Sequence, residues 1–274
     1  MAEAGGIQTT AAPSPGSERA LLVQTSPLLE AEGFHHGFFG RRGGVSPAPW
    51  ASLNFAASTG DKLEHVFENL DRAGRALGVA RAAIFFPSQV HGTAVVELDG
   101  TEDRGEVILR EADATLSAAP GVACGVRSAD CGTVLLAHPR TGTVAAVHAG
   151  WRGAVQGVVS GVVELLSTKG IAASELVAST GPMIEACCFE VGDEVAAQIV
   201  AASPAGEALV DRSRAKPHVD LRAMLAAELA ARGVKRVDHV RGCTVCQADR
   251  YFSYRREGQV SGRMLSAIVA RRGS

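Results

Sequence analysis

Three short polar segments interrupt apolar runs of the chain, and each contains one residue of a type that binds transition metals: His91, Cys131 and His148. Two imidazoles and one thiolate form three sides of a tetrahedral zinc shell and leave the fourth position for water or substrate. The three residues are far apart in sequence, so no compact zinc-finger spacing is involved. We predict that they converge on one divalent transition metal, and we expect that metal to be zinc.

Charged residues accompany these ligands. Asp130 directly precedes Cys131 and is predicted to orient a ligand or to accept a proton. Arg152 stands at the start of a predicted helix, where backbone N–H groups favour anions. Arg41, in an Arg-Arg-Gly-Gly turn, is a second candidate to hold an anionic group. The set predicts hydrolytic or phosphorolytic chemistry on a small polar metabolite.

The same residues allow other interpretations. Cys131 could act as the nucleophile of a cysteine hydrolase with His148 or His91 as its base, and spacing does not separate this from a metal mechanism. Oxidation by several coppers is disfavoured, because the chain has 8 His and no His-x-His pair. A non-enzymatic binding or scaffold domain would leave three ligand-type residues, an acid and two arginines without use.

The remaining cysteines do not form a familiar motif. Cys243 and Cys246 make a CxxC, but the residues that follow lack the helical periodicity of a thioredoxin-like site. A four-cysteine zinc site would need a second CxxC, and the adjacent pair Cys187 and Cys188 is a poor substitute. We interpret these thiols as core or site-lining residues.

Composition limits the partners and the location. The chain has 274 residues, with Lys+Arg 27 against Asp+Glu 29 and a formal net charge of -2, so charge gives no case for nucleic acid or an anionic membrane. No apolar stretch is long enough to span a bilayer. Six cysteines without a secretion signal predict a cytoplasmic protein. Residues 1–27 are predicted to be a flexible tail, and 28–274 a single catalytic domain.

Hydrophobic periodicity predicts an α+β fold, with mixed β-sheets flanked by helices. The absence of GxGxxG and GxxxxGK[ST] excludes Rossmann and P-loop nucleotide sites. Three glycines on one side of the second helix, Gly153, Gly157 and Gly161, are predicted to pack closely against another backbone. Strands are predicted over 33–39, 83–86, 94–98, 121–127, 133–137, 143–147, 176–179, 236–240 and 264–269. Helices are predicted over 63–77 with Asp61 as N-cap and Gly78 as terminator, from about 151 to 169, over 193–201 and over 219–232.

Motifs along nearly the whole chain after the tail resemble the laccase-domain family, also called the multicopper polyphenol oxidase or purine nucleoside phosphorylase family. The most specific are QVHG, ADC and HAGWRG, which contain His91, Cys131 and His148. The others are His36–Ser46, Ser52–Asn54, Ala112–Ala114, Phe189–Gly192, Phe252–Arg256 and Gly262–Met264, together with two dipeptides that begin at Gly181 and Cys243.

The resemblance implies one zinc bound by His91, Cys131 and His148, with copper as the alternative metal. It implies phosphorolysis of adenosine, inosine and methylthioadenosine, and deamination of adenosine. The expected partners are a purine nucleoside and phosphate, and the expected state is a monomer or small homo-oligomer. We assign Arg41, Asn54 and Arg152 to substrate binding. An alternative function in this family is the removal of a misincorporated serine from a peptidoglycan precursor, and its older name suggests copper-dependent polyphenol oxidation.

Overall fold

The computed structural model describes residues 20–273. Most of the predicted tail, residues 1–19, lies outside these residues. The end of that tail was placed too late, because Val23–Gln24 form a strand and a helix begins at Pro27. The side chain of Ser26 caps this helix by accepting a hydrogen bond from the backbone N–H of Leu29 at 3.1 Å.

Among the described residues the strands are β1 (Val23–Gln24), β2 (His36–Phe39), β3 (Ile84–Phe85), β4 (Val95–Leu98), β5 (Ala114–Ser117), β6 (Ala123–Ser128), β7 (Gly132–Ala137), β8 (Val144–Ala149), β9 (Val177–Thr180), β10 (Val210–Asp211), β11 (His218–Val219), β12 (Arg236–His239) and β13 (Met264–Val269). The α-helices are α1 (Pro27–Ala31), α2 (Leu63–Leu77), α3 (Arg104–Val107), α4 (Trp151–Val155), α5 (Val158–Thr168), α6 (Asp193–Ala202), α7 (Leu221–Ala231) and α8 (Tyr254–Glu257). The predicted α+β class is confirmed.

Two mixed sheets form the centre of the fold. One has five strands in the order β1-β2-β13-β6-β3, and the other has six in the order β12-β9-β7-β8-β5-β4. Parallel pairing joins β3 to β6, β4 to β5 and β12 to β9, and the remaining pairs in these two sheets are antiparallel. A short antiparallel pair, β10 and β11, lies apart from them.

The central strands β5 to β9 and β13 are buried on both faces, and alternate side chains enter different parts of the core. In β7, Leu135 packs between the sheets with Val126 of β6, whereas Val134 and Leu136 face α5 and α7. In β13, Leu265 faces α2 on the opposite side of the five-stranded sheet. The layers therefore run from α2 through the two sheets to α5 and α7.

The predicted second helix is wrong as a single element. It is broken into α4 and α5 at Gly157, whose φ of 80° lies in the left-handed region that favours glycine. Close packing holds at Gly153, where a Cβ would lie 3.2 Å from the carbonyl oxygen of Gly92, but Gly161 faces open space. Helix α2 ends at Gly78 as predicted, whereas its N-cap is Lys62 and not Asp61.

Between residues 20 and 273, the structure contains no helix with the length and apolar character needed to cross a bilayer.

Candidate metal centre and substrate pocket

Strand ends bring the three predicted metal ligands together. Cys131 lies in the tight turn between β6 and β7, and His148 lies within β8, one residue later than the predicted end of that strand. Because Gly132 pairs with Ala149 across the β7–β8 ladder, Cys131 is held beside His148. His91 comes from the loop between β3 and β4. The predicted convergence is observed: one ligand atom from each residue lies within 4.8 Å of the others.

The ligand geometry depends on unusual backbone conformations. His91 has a φ of 62° and Asp130, which precedes Cys131, has a φ of 91°. Both are non-glycine residues in the left-handed region, and such conformations persist only where the surrounding structure holds them. They direct Nε2 of His91 to 3.7 Å from Sγ of Cys131. The imidazole rings of His91 and His148 meet edge to face, with centroids 5.0 Å apart.

Asp113, which precedes β5, fixes both histidines. Its Oδ1 accepts hydrogen bonds from Nδ1 of His148 at 2.8 Å and from the backbone N–H of His91 at 3.0 Å. Its Oδ2 accepts from the backbone N–H of Gly92 at 2.6 Å. Asp113 is fully buried, and these donors, His148 foremost, lower its pKa although burial opposes this. With Nδ1–H of His148 donated to Asp113, Nε2 remains to bind a metal.

Gly150 gives the ligands room to approach. It ends the turn from β8 into α4, and a Cβ at this position would lie 2.9 Å from Sγ of Cys131 and 2.9 Å from Cδ2 of His91. These contacts are shorter than van der Waals separations, so any side chain here would push the ligands apart. The first glycine of the HAGWRG motif, Gly150, therefore allows the close approach of Cys131 and His91.

The local electrostatics favour a thiolate. Burial raises the pKa of Cys131, but His148 and His91 outweigh it and lower this pKa to about 6. Burial lowers the pKa of His148, whereas Cys131 and Asp113 raise it to about 9. The thiolate and the imidazolium stabilise each other, and Asp113 supports the positive partner. A metal cation that took the place of the proton on Nε2 of His148 would therefore have the deprotonated sulfur of Cys131 as a ligand at neutral pH.

The three ligands line a cavity of about 700 Å³. Its volume lies in the range of pockets that bind small metabolites. The guanidinium of Arg152 also lines it and stacks over the Trp151 ring at 4.5 Å. Three further arginines line the cavity without having been predicted: Arg127, Arg255 and Arg263. The last two lie in motifs noted from the sequence, but the motifs did not indicate which guanidinium faces the pocket.

Arg41 and Asn54 do not line this cavity. Arg41 forms an ion pair with Glu257 at 2.7 Å and donates to the carbonyl of Ala248 at 2.9 Å. Asn54 is fully buried, and its Oδ1 accepts from the backbone N–H of Arg263 at 2.8 Å. The structure therefore corrects their predicted placement in a substrate site, since both support loops around the pocket. Helix α4 has 5 residues, which weakens the predicted dipole contribution at Arg152.

Asp130 lines the cavity, but its carboxylate is fully engaged. Oδ1 accepts from the hydroxyl of Thr244 at 2.5 Å, and Oδ2 accepts from the hydroxyl of Ser253 at 3.1 Å and from the backbone N–H of Arg255 at 2.6 Å. No histidine is among these partners, so the predicted orientation of a ligand falls to Asp113 instead. Asp130 joins the segment before β7 to the two C-terminal loops that form one side of the pocket.

The sequence interpretation of the four remaining cysteines as core or site-lining residues holds only in part: Cys243 is buried and Cys188 packs against the core, whereas Cys187 and Cys246 are exposed. Cys187, Cys188, Cys243 and Cys246 form a second group, in which the four sulfur atoms lie within 4.8 Å of one another. None of them lines the large cavity. Cys124, which is fully buried between the two sheets, stands apart from this group as an ordinary core thiol.

Known proteins resemble this chain over most of its length. The family model described as "Multi-copper polyphenol oxidoreductase laccase" matches residues 35–271. A Streptomyces griseus protein named "Purine nucleoside phosphorylase ORF3" is 39% identical over 250 residues, which are 90% of this chain and 99% of the relative. A protein named "Adenosine deaminase RL5", from an unknown prokaryotic organism, is 34% identical over 228 residues, which are 80% of this chain and 87% of the relative.

A solved structure supports the same relationship. The crystal structure of YlmD from Geobacillus stearothermophilus superposes with a TM-score of 0.85 and 28% sequence identity, covering 94% of this chain and 98% of that chain. The likeness in fold therefore extends over nearly the whole of this chain.

Proposed function

The chain belongs to the family described as multi-copper polyphenol oxidoreductase laccase, and we propose that it is a zinc-dependent purine nucleoside phosphorylase. Its proposed substrates are adenosine, inosine and methylthioadenosine together with inorganic phosphate, and its proposed second activity is the deamination of adenosine. The names of its relatives support a nucleoside-processing enzyme. The observation that carries the proposal is the convergence of His91, Cys131 and His148 in one cavity with cationic side chains.

The donor set fits zinc. Two imidazole nitrogens and a thiolate are ligands that zinc binds in tetrahedral sites, and three protein ligands are typical of a catalytic site with an open position. The carboxylate of Asp113 behind His148 is the usual outer partner of such a ligand. When bound, zinc supplies a Lewis acid that polarises an acceptor atom of the substrate or activates water.

The chain's own residues would position the reactants. Arg152 and Arg263 are the proposed phosphate-binding groups, because both line the cavity beside the ligands. Tyr254, which is 49% exposed, and Phe189, which is buried, supply aromatic surface to the same cavity for contact with the purine. We propose that Asp130 holds the loops that contain Thr244 and Ser253 in place, since its carboxylate already accepts hydrogen bonds from three donors.

A copper-dependent polyphenol oxidase is a weaker candidate. Laccase chemistry needs several coppers and many histidine ligands. In residues 20–273, His91 and His148 are the two histidines found in a metal-ligand group. This donor set suits one metal ion and not a multicopper cluster.

A metal-free cysteine hydrolase is favoured by one specific observation. Asp113 orients His148, His148 could act as the base, and Cys131 could act as the nucleophile. The pKa of the Cys131 thiol is lowered to about 6. Removing the metal distinguishes the two mechanisms. A thiol mechanism would survive chelation, whereas the proposed zinc mechanism would be lost with a chelator and restored by added zinc.

The direct test is an assay of the purified full chain with adenosine, with and without inorganic phosphate. We expect adenine and ribose 1-phosphate to form only with phosphate, and inosine to form in both conditions. Cys131→Ala should lower both rates by at least about a hundredfold, because it removes one of three ligands. Cys124→Ala, which removes a buried thiol that does not line the cavity, serves as the matched control.

Two outcomes would contradict the proposal. Equal release of adenine by wild-type protein and by Cys131→Ala would remove the role assigned to the metal centre. Release of adenine at the same rate without phosphate would identify a hydrolase instead of a phosphorylase.

A further inference from the structure

Four cysteines from two distant segments meet at the surface of the protein. Cys187 and Cys188 lie in a turn between β9 and α6, and Cys243 and Cys246 lie in a turn between β12 and α8. Their sulfur atoms all lie within 4.8 Å of one another. We propose that they bind one zinc ion in a closed four-thiolate site, separate from the catalytic centre.

The sulfur separations match those of such a site. Cys187 Sγ lies 3.7 Å from Cys188 Sγ, 3.6 Å from Cys243 Sγ and 3.7 Å from Cys246 Sγ, and Cys188 Sγ lies 3.3 Å from Cys246 Sγ. A tetrahedron with zinc–sulfur bonds of about 2.3 Å has sulfur–sulfur edges of about 3.8 Å. A disulfide needs about 2.05 Å, and all four thiols are free. The arrangement is that of ligands around a common centre.

Backbone hydrogen bonds hold the two cysteine segments side by side without help from the thiols. Met183 and Cys243 form a parallel β-bridge. The N–H of Met183 donates to the carbonyl of Gly242 at 3.1 Å, and the N–H of Thr244 donates to the carbonyl of Met183 at 3.1 Å. Each cysteine pair lies in a turn that is closed by its own backbone bond. The ligand set is therefore preorganised, as expected of a structural metal site.

Two arginines supply positive charge beside the cluster. Arg214 donates to the carbonyl of Cys187 at 3.2 Å, and Arg255 donates to the carbonyl of Cys188 at 3.2 Å. Zinc with four thiolates carries a net charge of about −2, so adjacent guanidinium groups stabilise it. Four protein ligands leave no open position, which makes the site structural and not catalytic.

The site would brace one wall of the catalytic cavity. Ile184 and Phe189 flank the first cysteine pair and line the cavity. Thr244, between the second pair, donates to Asp130 next to the catalytic ligand Cys131. A metal bound by the four cysteines would cross-link the segment of Cys187 and Cys188 to the segment of Cys243 and Cys246, and so stabilise this wall of the cavity. The sequence did not indicate the site because one half of it is an adjacent pair of cysteines and not a CxxC.

The test is the zinc content of the full chain purified under reducing conditions without chelator. We expect two zinc ions per chain in the wild type, one for each ligand group, and one in Cys131→Ala. Zinc-edge X-ray absorption of Cys131→Ala should show a first shell of sulfur only, at about 2.3 Å. The exposed-cysteine variant Cys246→Ser should lose this second zinc, and Cys124→Ala should retain both.

The decisive sample is Cys131→Ala, because its result does not depend on whether a variant of the four-cysteine cluster folds. Absence of zinc from that protein would overturn the proposal, as would nitrogen or oxygen atoms in the first shell of its metal. A disulfide among the four cysteines in freshly reduced and purified protein, detected by mass after alkylation, would also overturn it. None of these results depends on the nucleoside activity.

Discussion

The carboxylate of Asp113 accepts a hydrogen bond from Nδ1 of His148 at 2.8 Å, and the same oxygen accepts the backbone N–H of His91 at 3.0 Å. One buried side chain thereby orients two candidate ligands, one from the loop between β3 and β4 and one from strand β8. The contact arises from the β5–β8 pairing, in which Ala114 stands opposite Val147 and the N–H of His148 bonds the carbonyl of Asp113. We therefore predict that Asp113 is a positioning residue of the candidate metal centre.

Asp113→Asn should weaken zinc binding at the catalytic centre by about 10–100-fold. The amide keeps the shape of the side chain but removes the charge that favours the correct His148 tautomer, and it cannot accept every donor that now faces the carboxylate. Competition with a chromogenic chelator measures the affinity. Asp99→Asn, at an exposed turn, is the control and should match the wild type. An affinity for zinc within twofold of wild type would disprove the positioning role.

Gly150→Ala should separate metal binding from folding. Its Cβ would lie 2.9 Å from both Sγ of Cys131 and Cδ2 of His91, so the ligands must move apart. We expect zinc affinity at this centre to fall by at least about tenfold, while circular dichroism stays that of the wild type. Gly161→Ala adds the same methyl group in open space and serves as the matched control. Unchanged zinc affinity in Gly150→Ala would contradict this account of Gly150.

The elements predicted correctly have strong hydrophobic patterns. Helix α2 shows helical spacing of apolar residues up to Gly78, and β13 is apolar at every position except Ser266. Strand β5 was missed because it buries polar residues. Thr115 and Ser117 are fully buried, and their hydroxyls bond the carbonyls of Gly125 and Leu98. Hydrophobic periodicity in the sequence does not reveal a strand of this kind, because its buried polar side chains are hydrogen-bonded to residues of other strands.

The site was predictable to the extent that residue type limits chemistry. His91, Cys131 and His148 could be selected because few side chains bind zinc and because each lies in a short polar motif between apolar runs. The arginines could not be sorted in this way, since both Arg41 and Arg263 stand next to glycine in short motifs. Which of them faces the cavity depends on a partner distant in sequence: Glu257 binds Arg41, whereas Arg263 lines the pocket.

Asp130→Asn should destabilise the fold more than it affects metal content. The carboxylate of Asp130 is buried and accepts three hydrogen bonds. In Asp130→Asn an amide nitrogen, which can only donate, replaces one of the accepting oxygens and faces a donor. We expect a loss of roughly 2–4 kcal/mol in the free energy of unfolding, measured in urea. The zinc content should remain that of the wild type. Asp71→Asn, which breaks a surface ion pair with Arg81, should cost less than about 1 kcal/mol.

A proton-shuttle role for Asp130 predicts a different pattern. In that case Asp130→Asn would lower the turnover number while leaving the stability near that of the wild type. The urea measurement and the nucleoside assay on the same preparation therefore separate a structural role from a catalytic one.

Glu228 should make stability depend on pH. It is buried in α7, where its Oε1 accepts the N–H of Ser160 at 2.8 Å and its Oε2 has no partner. Burial raises its pKa above the ordinary value of 4.5. Because the folded state then binds the proton more tightly than the unfolded state, this residue costs stability as the pH rises from 4.5 through the raised pKa.

Glu228→Gln removes this ionisation and keeps an acceptor for Ser160. We expect the variant to have a higher melting temperature than the wild type at pH 8, and the difference to shrink as the pH falls towards 4.5. Calorimetry at several pH values measures both trends. Glu164→Gln, at an exposed position of α5, is the control and should leave the pH dependence unchanged. A wild type that gains stability over Glu228→Gln as the pH rises would show that the carboxylate is stabilised in its charged form, contrary to the effect of burial.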